Sequence, residues 1–171
     1  MTMTQDSPAK YKCTGINQIG IVVNDVEQVA KNYWDILGIG PWTILDWETP
    51  LVHGRKYHGQ SAWSREKLAT AQVGNVQLEL LQPVEGPSVY RDWLREHGEG
   101  LHHMMFLVDD ADETFAVLES EGFPCMASGK FVAQGGAETR YGYCDIQPLR
   151  AIFEPVQFGG YPDVEARMIP S

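Results

Sequence analysis

Two stretches decide the fold: Gln18-Ile-Gly-Ile-Val-Val-Asn-Asp25 and His103-Met-Met-Phe-Leu-Val-Asp-Asp110. Each is an apolar run of strand length that ends in an acidic turn. Each leads into an amphipathic helical stretch, Val26 to Leu37 in the first case and Ala111 to Glu121 in the second. Asp25 and Asp110 stand where a side-chain oxygen can accept the free amide protons of a helix start. Gly38 and Gly122 stand where a left-handed residue can end the helix. Three strand-like stretches follow in each half. They are Trp42 to Trp47, Leu68 to Val73 and Val76 to Pro83, then Pro124 to Val132, Glu138 to Asp145 and Arg150 to Val156. Gly74-Asn75 marks a tight hairpin within the first set. The plan is strand, helix, three strands, stated twice, which is an internal duplication.

The expected organisation follows from this plan. Residues 1–12 read as a disordered leader, 13–86 as the first module, 87–99 as a linking helix, 100–158 as the second module and 159–171 as an extended tail. Tyr90, Trp93 and Leu94 share one face of the linking helix. The tail, broken early by glycine and proline, is expected to be extended and to wrap a partner subunit. The connection from Thr49 to Glu66, which holds His53 and His58, reads as a loop able to fold over a pocket.

The bulk properties exclude several classes. At 171 residues the chain suits one compact domain or two small modules sharing a core. No run approaches the roughly 18 apolar residues that span a bilayer. The polar start carries no signal-peptide pattern, so a cytoplasmic home is expected. A formal charge of −10 repels a phosphate backbone and speaks against nucleic acid. Cys13, Cys125 and Cys144 are odd in number and hold no CxxC pair, so reduced, packed thiols are expected.

The chemistry sits at matching places in the halves. Gln18 and His103 each begin a first strand, while Glu79 (in Leu78-Glu-Leu-Leu-Gln-Pro83) and Glu154 (in Ile152-Phe-Glu-Pro155) lie in last strands. A carboxylate inside an apolar strand costs several kcal/mol unless it is paired or holds a metal. Two such acids, one per half, call for a shared cation. Carboxylate, imidazole and amide oxygen together suit a hard or borderline divalent ion: zinc, cobalt, nickel or manganese. Such an ion polarises a carbonyl and stabilises an enolate. Glu79, Glu154 and Glu48, at the end of the strand Trp42 to Trp47, are the acid-base candidates. His102 is expected to point away from His103, into the other layer. Trp63, Tyr141 and Tyr143 are candidate aromatic walls. No Gly-rich phosphate loop is present, and Arg55, Lys56, Arg65 and Lys67 form the one dense basic group near the loop.

The chain resembles the vicinal oxygen chelate superfamily, which holds glyoxalase I, methylmalonyl-CoA epimerase, extradiol dioxygenases and bleomycin-resistance proteins. The local text is most similar to the epimerases, through Gln18-Ile-Gly-Ile-Val-Val, Val73-Gly-Asn-Val-Gln-Leu-Glu-Leu-Leu-Gln-Pro83 and Gly98-Glu-Gly-Leu-His-His-Met-Met-Phe106. The resemblance covers roughly Ile16 to Gln157. It implies an α+β fold in which two βαβββ modules form a cupped mixed sheet, with the metal ligands falling on Gln18, Glu79, His103 and Glu154. Epimerases usually carry His where this chain has Gln18, and the set Gln, Glu, His, Glu is similar to zinc-type glyoxalase I. One histidine and two carboxylates depart from the two-histidine iron site of the extradiol enzymes.

The expected activity is therefore a metal-dependent epimerase or racemase working by proton abstraction next to a carbonyl. The alternatives are a glyoxalase I-like lyase on a thiol adduct and a metal-free small-molecule binding or resistance protein. The expected partners are a small-molecule carbonyl substrate, with an acyl-CoA as one option, and a second copy in a homodimer.

Overall fold

A computed structural model describes residues 13, 15–48 and 51–170; the leader expected over 1–12 lies outside the described residues. The fold is α+β. The first half runs β1 (Gln18–Val22), α1 (Val26–Leu37), β2 (Trp42–Glu48), β3 (His53–Tyr57), β4 (Gln60–Ser61), β5 (Arg65–Val73) and β6 (Val76–Glu85). Helix α2 (Val89–His97) leads to β7 (Gly100–Leu107), α3 (Ala111–Ser120), β8 (Cys125–Val132), β9 (Glu138–Ile146), β10 (Ala151–Gln157) and β11 (Arg167–Ile169). All the strands form one mixed sheet, ordered β11-β2-β5-β6-β1-β7-β10-β9-β8-β3-β4.

The duplication shows in the pairing. Strand β1 runs parallel to β6, β7 runs parallel to β10, and the two halves meet in the antiparallel β1–β7 seam. The start and stop signals act locally: Asp25 accepts from the amides of Glu27 and Gln28 at 3.0 and 3.1 Å, and Asp110 from Glu113 at 2.9 Å.

Strand alternation divides the apolar residues among three cores. Val26 and Ala30 of α1 pack on Trp42, Ile44, Ala69 and Leu80 behind the first half. Leu118 of α3 packs on Cys144, Ile146 and Phe153 behind the second. Residues of opposite parity, among them Val22, Leu68, Leu81, Tyr141, Tyr143 and Val156, fill the concave side. The sheet thus curls into a cup backed by two helices. Trp47 on β2 meets Phe131 on β8 edge to face, with ring centroids 5.0 Å apart, so the outer strands of the two halves approach each other across its mouth.

Two expectations are corrected, and the tail is located. The connection after β2 is no simple loop: β3 pairs with β8 of the other half and turns into β4, while Val52 is fully buried. The tail packs on its own chain. Strand β11 pairs with β2 of the same chain, Gln134 donates its amide to the Tyr161 carbonyl at 3.0 Å, and Thr139 Oγ1 donates to the Gly160 carbonyl at 2.7 Å. Cys125 and Cys144 are not reduced thiols but a disulfide, because the β8–β9 register makes them direct cross-strand neighbours with Cα atoms 4.1 Å apart. They stand 19 positions apart in sequence, and only the hairpin brings them together.

Candidate active site in the cup

Gln18, Glu79, His103 and Glu154 come from β1, β6, β7 and β10, four adjacent strands, and all are buried. Their spacing follows from register. Glu79 lies beside Gly20, and His103 lies beside Gly20 on the other side. Glu154 lies beside Met105, two residues along β7 from His103 and on the same face.

His103 Nε2 stands 3.2 Å from a Glu154 carboxylate oxygen and 3.6 Å from a Glu79 oxygen. The ring can occupy that place because Gly20 has no side chain: a Cβ there would lie 1.9 Å from His103 Cε1. Burial holds the imidazole neutral, its pKa lowered to about 3, so these contacts are not ion pairs. Burial acts oppositely on the acids. The Glu154 carboxyl is raised to about 8, against a hydrogen bond from Tyr143 that lowers it. Glu79 is raised well above its ordinary range, first by burial and then by the charge of Glu154.

The unmet valences mark the spot. His103 Nε2 and a Glu154 oxygen are buried without a hydrogen-bond partner, a condition that buried polar atoms rarely keep. Gln18 donates from Nε2 to Gln77 Oε1 at 2.6 Å, which leaves its own amide oxygen unused by that bond. Among the described residues no three His, Cys, Asp or Glu side chains already form a closed metal cluster, and the fit to an ion rests on donor chemistry. Two carboxylates, an unprotonated imidazole nitrogen and an amide oxygen would balance a divalent cation and relieve both orphaned atoms.

The carboxylates and Gln18 open onto a cavity of about 530 Å³, while the fully buried His103 ring separates them from a wider cleft of about 840 Å³ beside α2. Tyr141 and Tyr143 line the smaller cavity; Trp63 does not and is largely exposed. Glu48 stands one residue beyond Trp47 on β2, and alternation turns it away from the lining residues Thr43, Leu45 and Trp47.

Several neighbours escaped the sequence reading. His102 does not point into the other layer. The β1–β7 register shifts between Gly20 and Ile21, and this bulge brings His102 Nδ1 to 2.9 Å from His103 Nδ1. Tyr90 of α2 donates to Tyr143 Oη at 2.7 Å, which extends a hydroxyl chain toward Glu154. Gln77 bridges Gln18 to Tyr161 of the tail, donating to the phenol oxygen at 3.2 Å. Its parity with Glu79, two residues on, was a signal available in the sequence. Glu66 is a further buried acid, held by Arg55 at 2.9 Å and by Ser64 Oγ at 2.6 Å. Its place is hidden in the sequence because β5 begins at Arg65, earlier than the apolar run from Leu68 suggests.

Residues 17–143 match the model of the Glyoxalase/Bleomycin resistance protein/Dioxygenase superfamily. The chain belongs to this superfamily. Relatives include the uncharacterized protein YqjC of Bacillus subtilis, 29% identical over 106 residues, and the mitochondrial methylmalonyl-CoA epimerase of Mus musculus, 27% identical over 107 residues. Each match covers 62% of this chain, and they span 66% and 52% of those proteins respectively.

Among solved structures, a variant of Streptomyces coelicolor methylmalonyl-CoA epimerase in complex with 2-nitronate-propionyl-CoA superposes with a TM-score of 0.60 at 21% identity, covering 89% of this chain and 99% of that one. The Mycobacterium tuberculosis epimerase gives 0.57 at 22% identity, covering 89% and 93%. A variant of 4-hydroxymandelate synthase from Streptomyces coelicolor gives 0.62 at 16% identity, covering 92% and 42%. At these identities the superpositions establish the shared fold.

Proposed function

We propose that this superfamily member is a metal-dependent epimerase or racemase that moves a proton on the carbon next to a carbonyl. The observation that carries the reading is the meeting of two buried carboxyls, one from each half, at the unpaired Nε2 of a neutral histidine. Gln18, Glu79, His103 and Glu154 would hold the ion. When bound, zinc, cobalt, nickel or manganese supplies Lewis acidity toward a carbonyl oxygen and steadies the enolate.

The chain's own residues supply the rest. Glu79 and Glu154 approach from opposite sides of the β1–β7 seam. One carboxylate can therefore take the proton from one face of the substrate carbon while the other returns it to the opposite face. Burial raises both acids when they are free of the ion, so a glutamate that releases it can take up a proton as base and return it as acid. Tyr143, hydrogen-bonded to Glu154, orients that carboxyl. The apolar walls keep bulk water from reprotonating the carbon at random. Glu48, turned away from the cavity, has no part in this scheme.

The test is solvent exchange. In deuterium oxide the metal-loaded protein is expected to place deuterium on the α-carbon of a chiral 2-substituted ketone or thioester. Glu79→Gln and Glu154→Gln should each lower that rate about 100-fold or more. Production of a hydroxyacyl thioester from a methylglyoxal hemithioacetal, without α-exchange, would favour a glyoxalase-like lyase instead. Purified protein with no bound divalent ion, whose ligand binding is indifferent to added metal, would leave a binding module as the reading.

A further inference from the structure

We propose that the cup selects an uncharged, ring-bearing carbonyl compound rather than an acyl-CoA or a carboxylated substrate; this rests on the enolising reading of the same site. The first ground is charge. Among the described residues no lysine or arginine lines the cavity of about 530 Å³. Three of the four basic residues expected near the mouth are paired elsewhere, Arg55 to Glu66 at 2.9 Å, Lys67 to Glu27 at 3.1 Å and Arg65 to Glu85 at 3.9 Å, and the fourth, Lys56, is exposed on β3 outside the lining. Gln18, Glu79, His103 and Glu154 carry no surplus positive charge once a divalent ion is bound. A substrate carboxylate or phosphate would enter desolvated and without a counter-ion.

The second ground is the shape of the walls. Trp47 and Phe131 form one edge-to-face pair with centroids 5.0 Å apart, and Phe158 and Tyr161 of the tail form another at the same separation. Flat rings slot between such walls at little entropic cost. The polar lining beside them is neutral, from Thr43, Thr70 and Gln72, and suits hydroxyl or keto groups. The third ground is the tail itself. Fastened by Thr139 and Gln77 and paired through β11, it forms part of the cavity wall. Its lining residues Phe158, Tyr161, Pro162, Val164 and Ala166 offer no cation to the phosphorylated arm of a CoA thioester.

Calorimetric titration of the intact, metal-loaded chain with three probes tests this: 2-methyl-1-tetralone, its 5-carboxylate and methylmalonyl-CoA. The neutral ketone is expected to bind about tenfold or more tightly than either anion. Thr43→Arg, which sets a cation on the wall, should shift the ratio of carboxylate to ketone affinity about fivefold or more toward the carboxylate. Equal or tighter binding of methylmalonyl-CoA or the carboxylate, or no binding of the ketone, would overturn the assignment. The two readings fail differently. Selective ketone binding without α-deuterium exchange breaks the proposed reaction and leaves the ligand class standing. Exchange on the thioester without ketone binding breaks the ligand class and leaves the reaction standing.

Discussion

Gln18 and His103 open equivalent strands of the two halves, yet their surroundings differ. Across the seam His103 faces Gly20, whereas Gln18 faces Met105, the residue equivalent to Gly20. One side chain therefore meets a hole and the other a wall. The His103 ring sinks over β1 toward both glutamates, while Gln18 extends sideways to Gln77. The duplicated scaffold supplies two equivalent positions, and a single missing Cβ decides which becomes the centre of the site.

This contrast can be broken at Gly20. Gly20→Ala places a methyl where the imidazole lies and should weaken divalent-metal binding about 100-fold, the scale of disturbing a ligand's support. Titration with zinc or cobalt, with circular dichroism confirming the fold, reads it; unchanged affinity would show that His103 is not a ligand.

The next effect is on pH dependence. Folded Glu154 keeps its proton up to about 8 but loses it near 4.5 when unfolded, so metal-free stability falls as pH rises through that window. Glu79 adds to the same slope. His103, neutral down to about 3 in the fold but titrating near 6.5 unfolded, gives the opposite slope below 6.5, as does His102. Between 4.5 and 6.5 the two pairs oppose each other, and from 6.5 to 8 only the acids act. Thermal melts of metal-free protein should therefore show a decline from pH 6.5 to 8 that Glu154→Gln reduces. Added metal should stabilise more as pH rises, because binding displaces those protons.

The smallest effect belongs to Gln18. Paired across the seam with Met105 and tied to Gln77, it would offer a neutral oxygen, and Gln18→Ala should weaken metal binding only about tenfold. A loss as large as that of Gly20→Ala would erase the distinction between the halves.

Much of this was legible in residue order. The repeated apolar strand, acidic cap and amphipathic helix specified the two modules, because strand parity and capping are local. Parity also put Glu79 beside Leu80 and Glu154 beside Phe153 on opposite faces of their strands, and so pointed the acids away from the helix-backed cores. Other features were illegible because they depend on distant pairing. The Cys125–Cys144 disulfide follows from the β8–β9 register. His102 is turned toward His103 by a bulge with no signature of its own. The tail carries no periodic pattern, and its place over the cup depends on pairing with β2, more than a hundred residues earlier.

The sequence by itself determined the duplicated strands and helices and the donor types, since each rests on short-range periodicity and side-chain chemistry. Tertiary structure decided the rest. Only the packed seam shows that Gly20 admits the His103 ring, that two acids share one unpaired nitrogen, and that the cup is lined by rings without a free cation among the described residues. Those are properties of register and burial, which exist only once distant strands have met.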